Sequence, residues 1–182
     1  MFSVVQIFLR DAKQCDAALG QQELYLSRQV ETPTADSVQE EIKKLEEFLK
    51  KMDTHDEKVQ HVRQFADQLH DNGHYAKDKV LEKAAYINER RDVNRENANA
   101  LLGRLQEELR LKQFLEDSNE VIDWMNERTH SATDESYKDD TSNMRSKLLK
   151  HNAFEAELNA NKIKIDALKK VKAPHIPLFV LS

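Results

Sequence analysis

Apolar residues recur along this chain at helical spacing, with few interruptions. Phe8, Ala12, Cys15, Leu19 and Leu26 step by threes, fours and a double turn, with Gln22 as a polar break in the stripe. The segment ETPTADS follows, where Pro33 breaks the helix and Asp36 or Ser37 is the expected N-cap of the next one. A second stripe carries Ile42, Leu45, Leu49, Met52, Val59, Val62, Ala66 and Leu69, with Asp56 as its polar member. It ends in HDNGH, where Gly73 can adopt the left-handed conformation that closes a helix. A third stripe begins near Tyr75 and reads Val80, Ala84, Ile87, then Arg91 and Asn94, then Ala98, Leu101 and Leu105. It runs on through Leu109, Leu111, Phe114, Leu115, Val121, Ile122 and Met125 to about Ser131 without a breaker. Its phase changes between Glu107 and Leu111. A phase change without a breaker predicts one continuous helix that changes neighbours midway. Such a helix has about 57 residues and a length of roughly 85 Å, with Gly103 its only weak residue.

The pattern repeats. FLRDAKQCDAALG, from Phe8, aligns without gaps on FLEDSNEVIDWMN, from Phe114, at an offset of 106 positions. The same offset sets Phe48 on Phe154, Met52 on Leu158, Val59 on Ile165 and Val62 on Leu168. Register kept across forty residues marks two copies of one unit. Ala18 of the first copy stands where the second has Trp124, the chain's single tryptophan. The expected division is a complete unit over 1–112, with helices at about 6–29, 37–71 and 75–112, and a partial unit over 113–172. The partial unit has a first helix continuous with the preceding one, a loop TDESYKDDTS and a second helix from about Asn143 to Lys172. Residues 173–182, with two prolines in four residues, match neither copy and are expected to form a disordered tail.

Composition agrees with long helices. Of 182 residues, 34% are charged and 39% hydrophobic, and only three are glycine and three proline. The charges are mixed in sign and read as solvated helix faces. A net charge of −5 offers no basic stripe for phosphates, so nucleic acid is not an expected partner. No run approaches the roughly 20 apolar residues of a membrane span, and MFSVVQIFL lacks the basic flank of a signal peptide. One cysteine and no glycosylation sequon fit a reducing cytoplasmic setting.

Candidate chemistry changes little. His70 and His74 are four apart but straddle Gly73, and Glu57 with His61 has the wrong spacing for a di-iron bundle, so no metal site is expected. DESYKDD lacks the ligand pattern of a calcium-binding EF-hand loop and reads as a connecting loop. Cys15 sits on the apolar stripe as a structural cysteine, no acid, base or nucleophile constellation is present, and no cofactor is expected. Arg91 and Asn94 are more informative because they occupy stripe positions. They are expected to reach the bundle edge or bond to Asp56, with a register-fixing polar layer or a lateral contact as the functional alternative.

The 106-residue period, the Phe-Leu-x-Asp opening at Phe8 and Phe114, Trp124, the segment KHNAFEAEL and the Gly-His turn at Gly73 resemble spectrin repeats. The resemblance extends from about Gln6 to Lys170, and the second copy is most similar to the rod of a β-spectrin chain. It implies an all-α fold of left-handed three-helix bundles joined by a continuous linker helix, with the second repeat truncated. It implies a core built on Phe8, Leu19, Phe48, Met52, Leu101, Leu105, Phe114, Trp124, Phe154 and Leu158. It also implies a non-enzymatic elastic spacer and docking surface in an actin-linked membrane skeleton at the cell cortex. The implied partner is α-spectrin, by antiparallel lateral association, with actin and ankyrin engaged only through other parts of a parent chain. The alternative is the rod of a signalling or crosslinking scaffold of plakin, actinin or exchange-factor type. Ala18 and Arg91, where many repeats have aromatics, imply a thinner core in the first copy.

Overall fold

The structure, a computed structural model, describes residues 4–133 and 144–170. Four helices account for most of them: α1 (Val4–Leu26), α2 (Ala35–Asp71), α3 (Lys77–Thr133) and α4 (Met144–Lys170). No strand occurs among the described residues. The expected loop TDESYKDDTS lies outside them except for Thr133, which ends α3, and the expected tail at 173–182 lies outside them.

Helix ends follow local chemistry. α1 stops at Leu26, three residues before the expected end, as the Ser27 hydroxyl donates to the Leu24 carbonyl. The N-cap of α2 is Thr34, not Asp36 or Ser37. Its hydroxyl accepts from the Ser37 amide at 3.2 Å, and Ser37 Oγ accepts from the Thr34 amide at 3.0 Å. This reciprocal pairing satisfies donors that otherwise have no partner in the first turn, and a cap at Asp36 would forgo it. At the far end Gly73 has φ of +64°, its amide donates to His70 O and the His74 amide donates to Leu69 O. The two bonds form the glycine-closed helix end anticipated from HDNGH. His74 then opens α3, accepting from the Ala76 amide at its Nδ1 and from the Lys77 amide at its carbonyl.

The chain divides into two compact units, residues 1–108 and 109–182. The division falls inside α3, a helix of 57 residues with no break at that point, against an expected boundary at 112/113. In the first unit α1, α2 and the start of α3 bury Phe8, Ala12, Cys15, Leu19, Val59, Val62, Ala66, Leu69, Val80, Ala84 and Ile87 in one contiguous core. Phe65 packs against it, with its ring 6.3 Å from that of Phe8. Ala35, Val38, Ile42, Leu45, Met52, Ala98 and Leu105 are buried outside that cluster.

In the second unit Val121 is buried, while Phe114, Trp124 and Phe154 are half-buried. Leu158, placed in the core by its alignment with Met52, is instead 43% exposed, and Ile163 is 72% exposed. Two described helical segments have fewer faces to cover than three, so α4 half-buries one stripe through Phe154, Ile165 and Leu168 and leaves its other faces in solvent. Lys164 pairs with Glu120, and Arg128 with Glu157 at 2.6 Å, tying α4 to α3.

Candidate functional site: a polar layer through the first bundle

Each helix of the first unit interrupts its apolar stripe at the same level. α1 contributes Gln22, α2 contributes Asp56 with His55 beside it, and α3 contributes Arg91 and Asn94, with Arg95 next to them off the stripe. Asn94 is 2% exposed and Gln22 3%. The Asn94 amide donates to the Leu19 carbonyl at 3.2 Å and to Gln22 Oε1 at 3.3 Å. Gln22 Nε2 in turn lies 3.5 Å from His55 Nδ1. A buried amide without such partners would cost about 1–3 kcal/mol, so the layer holds together as a set.

Charged pairs flank it on both sides. Arg90 donates to Asp16 at 3.1 Å and to both carboxylate oxygens of Glu23 at 2.9 and 3.0 Å, clamping α3 to α1. The same Asp16 receives Lys83 at 2.5 Å. Arg95 donates to Asp53 at 2.6 Å and Asp56 at 2.5 Å, clamping α3 to α2. Hydrogen bonds donated to Glu23 and to Asp56 hold the Arg90 and Arg95 guanidiniums above their ordinary pKa, so both stay charged at any working pH. Arg91 reaches Asp56 at 3.9 Å and takes a closer bond to Asn88 Oδ1 at 2.8 Å. Asp56 was the expected partner. Asp56 bonds more closely to Arg95, which periodicity did not single out because it lies off the stripe, and Asn94, expected at the bundle edge or on Asp56, is buried on Gln22 and the Leu19 carbonyl instead.

Beside Ala18 runs a groove of about 330 Å³, lined by Cys15, Ala17, Ala18, His55, Lys58 and Val59. It marks the position where the second copy has Trp124, whose indole Nε1 is buried without a hydrogen-bond partner among the described residues. Burial first, then the nearby Asp11 and Asp16 charges, raises the Cys15 thiol above its ordinary 9.0 and keeps it protonated.

Of the residues placed in the core from sequence, Phe8, Leu19, Met52 and Leu105 are buried. Phe48 and Leu101 are half-buried, and the Phe48 ring stacks on Tyr25 at 4.0 Å. Among the described residues no group of three His, Cys, Asp or Glu side chains could hold a metal, and the His74 Nδ1 is engaged at the helix turn. No described helix is long and apolar enough to cross a membrane.

The spectrin repeat family model matches residues 4–107 and again 109–174. The chain belongs to the spectrin repeat family. The two matches meet where the chain divides, inside α3. The chain is 35% identical to the spectrin beta chain of Drosophila melanogaster over 165 residues, 91% of its own length. It is 32% identical over 153 residues to the erythrocytic spectrin beta chain of Mus musculus. It is 35% identical over 132 residues to the mouse spectrin alpha chain, erythrocytic 1. The chain spans about 7% of the length of each beta chain and 5% of the alpha chain. The three-helix bundle of residues 1–108 is thus a spectrin repeat whose core carries a polar layer.

Proposed function

We propose that this chain is a structural segment of a spectrin-type cytoskeletal rod, serving as elastic spacer and protein-docking surface in an actin-linked membrane skeleton at the cell cortex. The observation that carries this reading is α3, which runs unbroken from Lys77 to Thr133 through the junction of the two family matches. A helix shared by two repeats transmits load, since bending it at the junction requires breaking backbone hydrogen bonds. Domains of this size hold about 5–15 kcal/mol of net stability, little enough for repeats to yield singly under tension and refold. The similarity to β chains supports α-spectrin as lateral partner, in antiparallel association, with actin and ankyrin bound elsewhere in a parent chain. A catalytic role has no support in this family assignment.

The test is to stretch the full chain between two handles in an optical trap, and separately to offer it to a recombinant α-spectrin rod fragment. Reversible extension steps with refolding on relaxation support the spacer role. Extension without any force-bearing transition refutes it, and failure to retain the α-chain fragment refutes the partner.

A further inference from the structure

We infer that the first repeat is built from two halves that open separately, with the polar layer as the boundary between them. Three helices each place polar side chains at one level: Gln22 in α1, His55 and Asp56 in α2, Asn94 and Arg91 in α3. Apolar contact is therefore interrupted across the whole section of the bundle. One half, with Phe8, Leu19, Val62, Leu69 and Ile87, forms a contiguous core. The buried residues of the other half, including Val38, Leu45, Met52 and Leu105, fall outside that cluster.

The halves are unequal. Past Gln22, α1 supplies only one more turn, ending at Leu26, whereas α2 continues to Ala35. The third side of this half is therefore closed by the connection 27–34 and by polar ties. Arg28 pairs with Glu41, which is 6% exposed, and stacks on the Tyr25 ring at 3.5 Å. Thr32 donates to Glu108 at 2.7 Å. Such ties hold less than a packed helix does, because partly hydrated ion pairs contribute little net stability. The half around Leu45 and Met52 opens first, while the Arg90 clamp on Asp16 and Glu23 keeps the other closed. Cooperative units of this kind are expected wherever contact density drops within one fold. The opening is a property of the fold; only its use as a sub-repeat extension step rests on the proposed structural role.

Hydrogen exchange on the full native chain in sub-denaturing urea tests this. Amides of Leu45 to Met52 should show protection at least about tenfold lower than those of Val62 to Leu69 and Ile87, with a shallower urea dependence. A single protection level and a single urea slope for both sets would overturn the proposal. The double variant Gln22→Leu, Asn94→Leu replaces the two most buried members of the boundary with apolar side chains and should draw the two sets together. If the variant folds and the two sets stay apart as in the parent chain, the layer is not the boundary. If the variant does not fold, the urea slopes of the parent chain decide alone.

Discussion

Ala18 is the most direct place to test how the first repeat is packed. In the second copy its equivalent is Trp124, and in the first a groove of about 330 Å³ lies beside the alanine methyl. Replacing Ala18 with Trp lays an indole along Cys15, Val59 and the stem of Lys58. A tryptophan presents about 200 Å², and a surface groove covers about half of it. At about 25 cal/mol per Å², the gain is about 2.5 kcal/mol. Ordering the side chain costs about 1 kcal/mol and the poorer helix propensity about 0.5 kcal/mol. His55 forms one wall, and disturbing its 3.5 Å contact with Gln22 costs little because that bond is long. The net is a stabilisation of about 0.5–1 kcal/mol, or a rise in Tm of about 3–6 °C for a unit of this size. Circular dichroism at 222 nm through a thermal ramp of the full chain measures it. A fall in Tm would show that the groove cannot accept an aromatic ring and that the absent tryptophan is compensated by local packing.

Two further outcomes follow from the polar layer and the thiol. Asp56→Ala removes a carboxylate shared by Arg91 and Arg95 and should cost about 1–2 kcal/mol in urea unfolding, while Asp53→Ala, losing a more exposed pair, should cost under about 0.5 kcal/mol; equal effects would refute a central role for Asp56. Burial raises the Cys15 pKa, so the folded state holds its proton more tightly than the unfolded state does. Its contribution to stability is therefore complete below the ordinary value of 9.0 and is lost as pH rises through the raised value. Stability should decline as pH rises from 9.0 towards the raised value in the parent chain and less steeply in Cys15→Ala; identical alkaline slopes would refute the assignment.

Much of the fold was legible because it depends on spacing. The stripe from Phe8 to Leu19, the glycine stop at Gly73 and the uninterrupted α3 are properties of single segments. The 106-residue offset extended them to a second copy without any knowledge of packing. What spacing could not supply is which side chains meet across helices. Arg90 bonds to Glu23 from 67 residues away and Arg95 to Asp56 from 39 residues away, and none of these four lies on an apolar stripe position except Asp56. Equivalent positions also need equivalent neighbours. Met52 is fully buried, yet Leu158, its counterpart in the repeat, is largely exposed. Alignment transfers the direction a residue faces on its helix, not the presence of a helix to cover it.

Gln22 and Asn94 act as one pair and not as two separate weaknesses. Gln22 alone on its stripe would have a buried Oε1 with no donor, at a cost of about 1–3 kcal/mol, and Asn94 alone would have only the Leu19 carbonyl. Together they satisfy each other and one backbone carbonyl, so the pair costs much less than twice the single defect. Leucine at both positions is therefore expected to be tolerated better than leucine at Asn94 alone, which strands Gln22 Oε1. Sliding α3 by one turn against α1 would set Asn94 against apolar side chains and break the Arg90 clamp at once. A one-turn slip is therefore expected to cost most at this level, where the hydrophobic core of the repeat is interrupted.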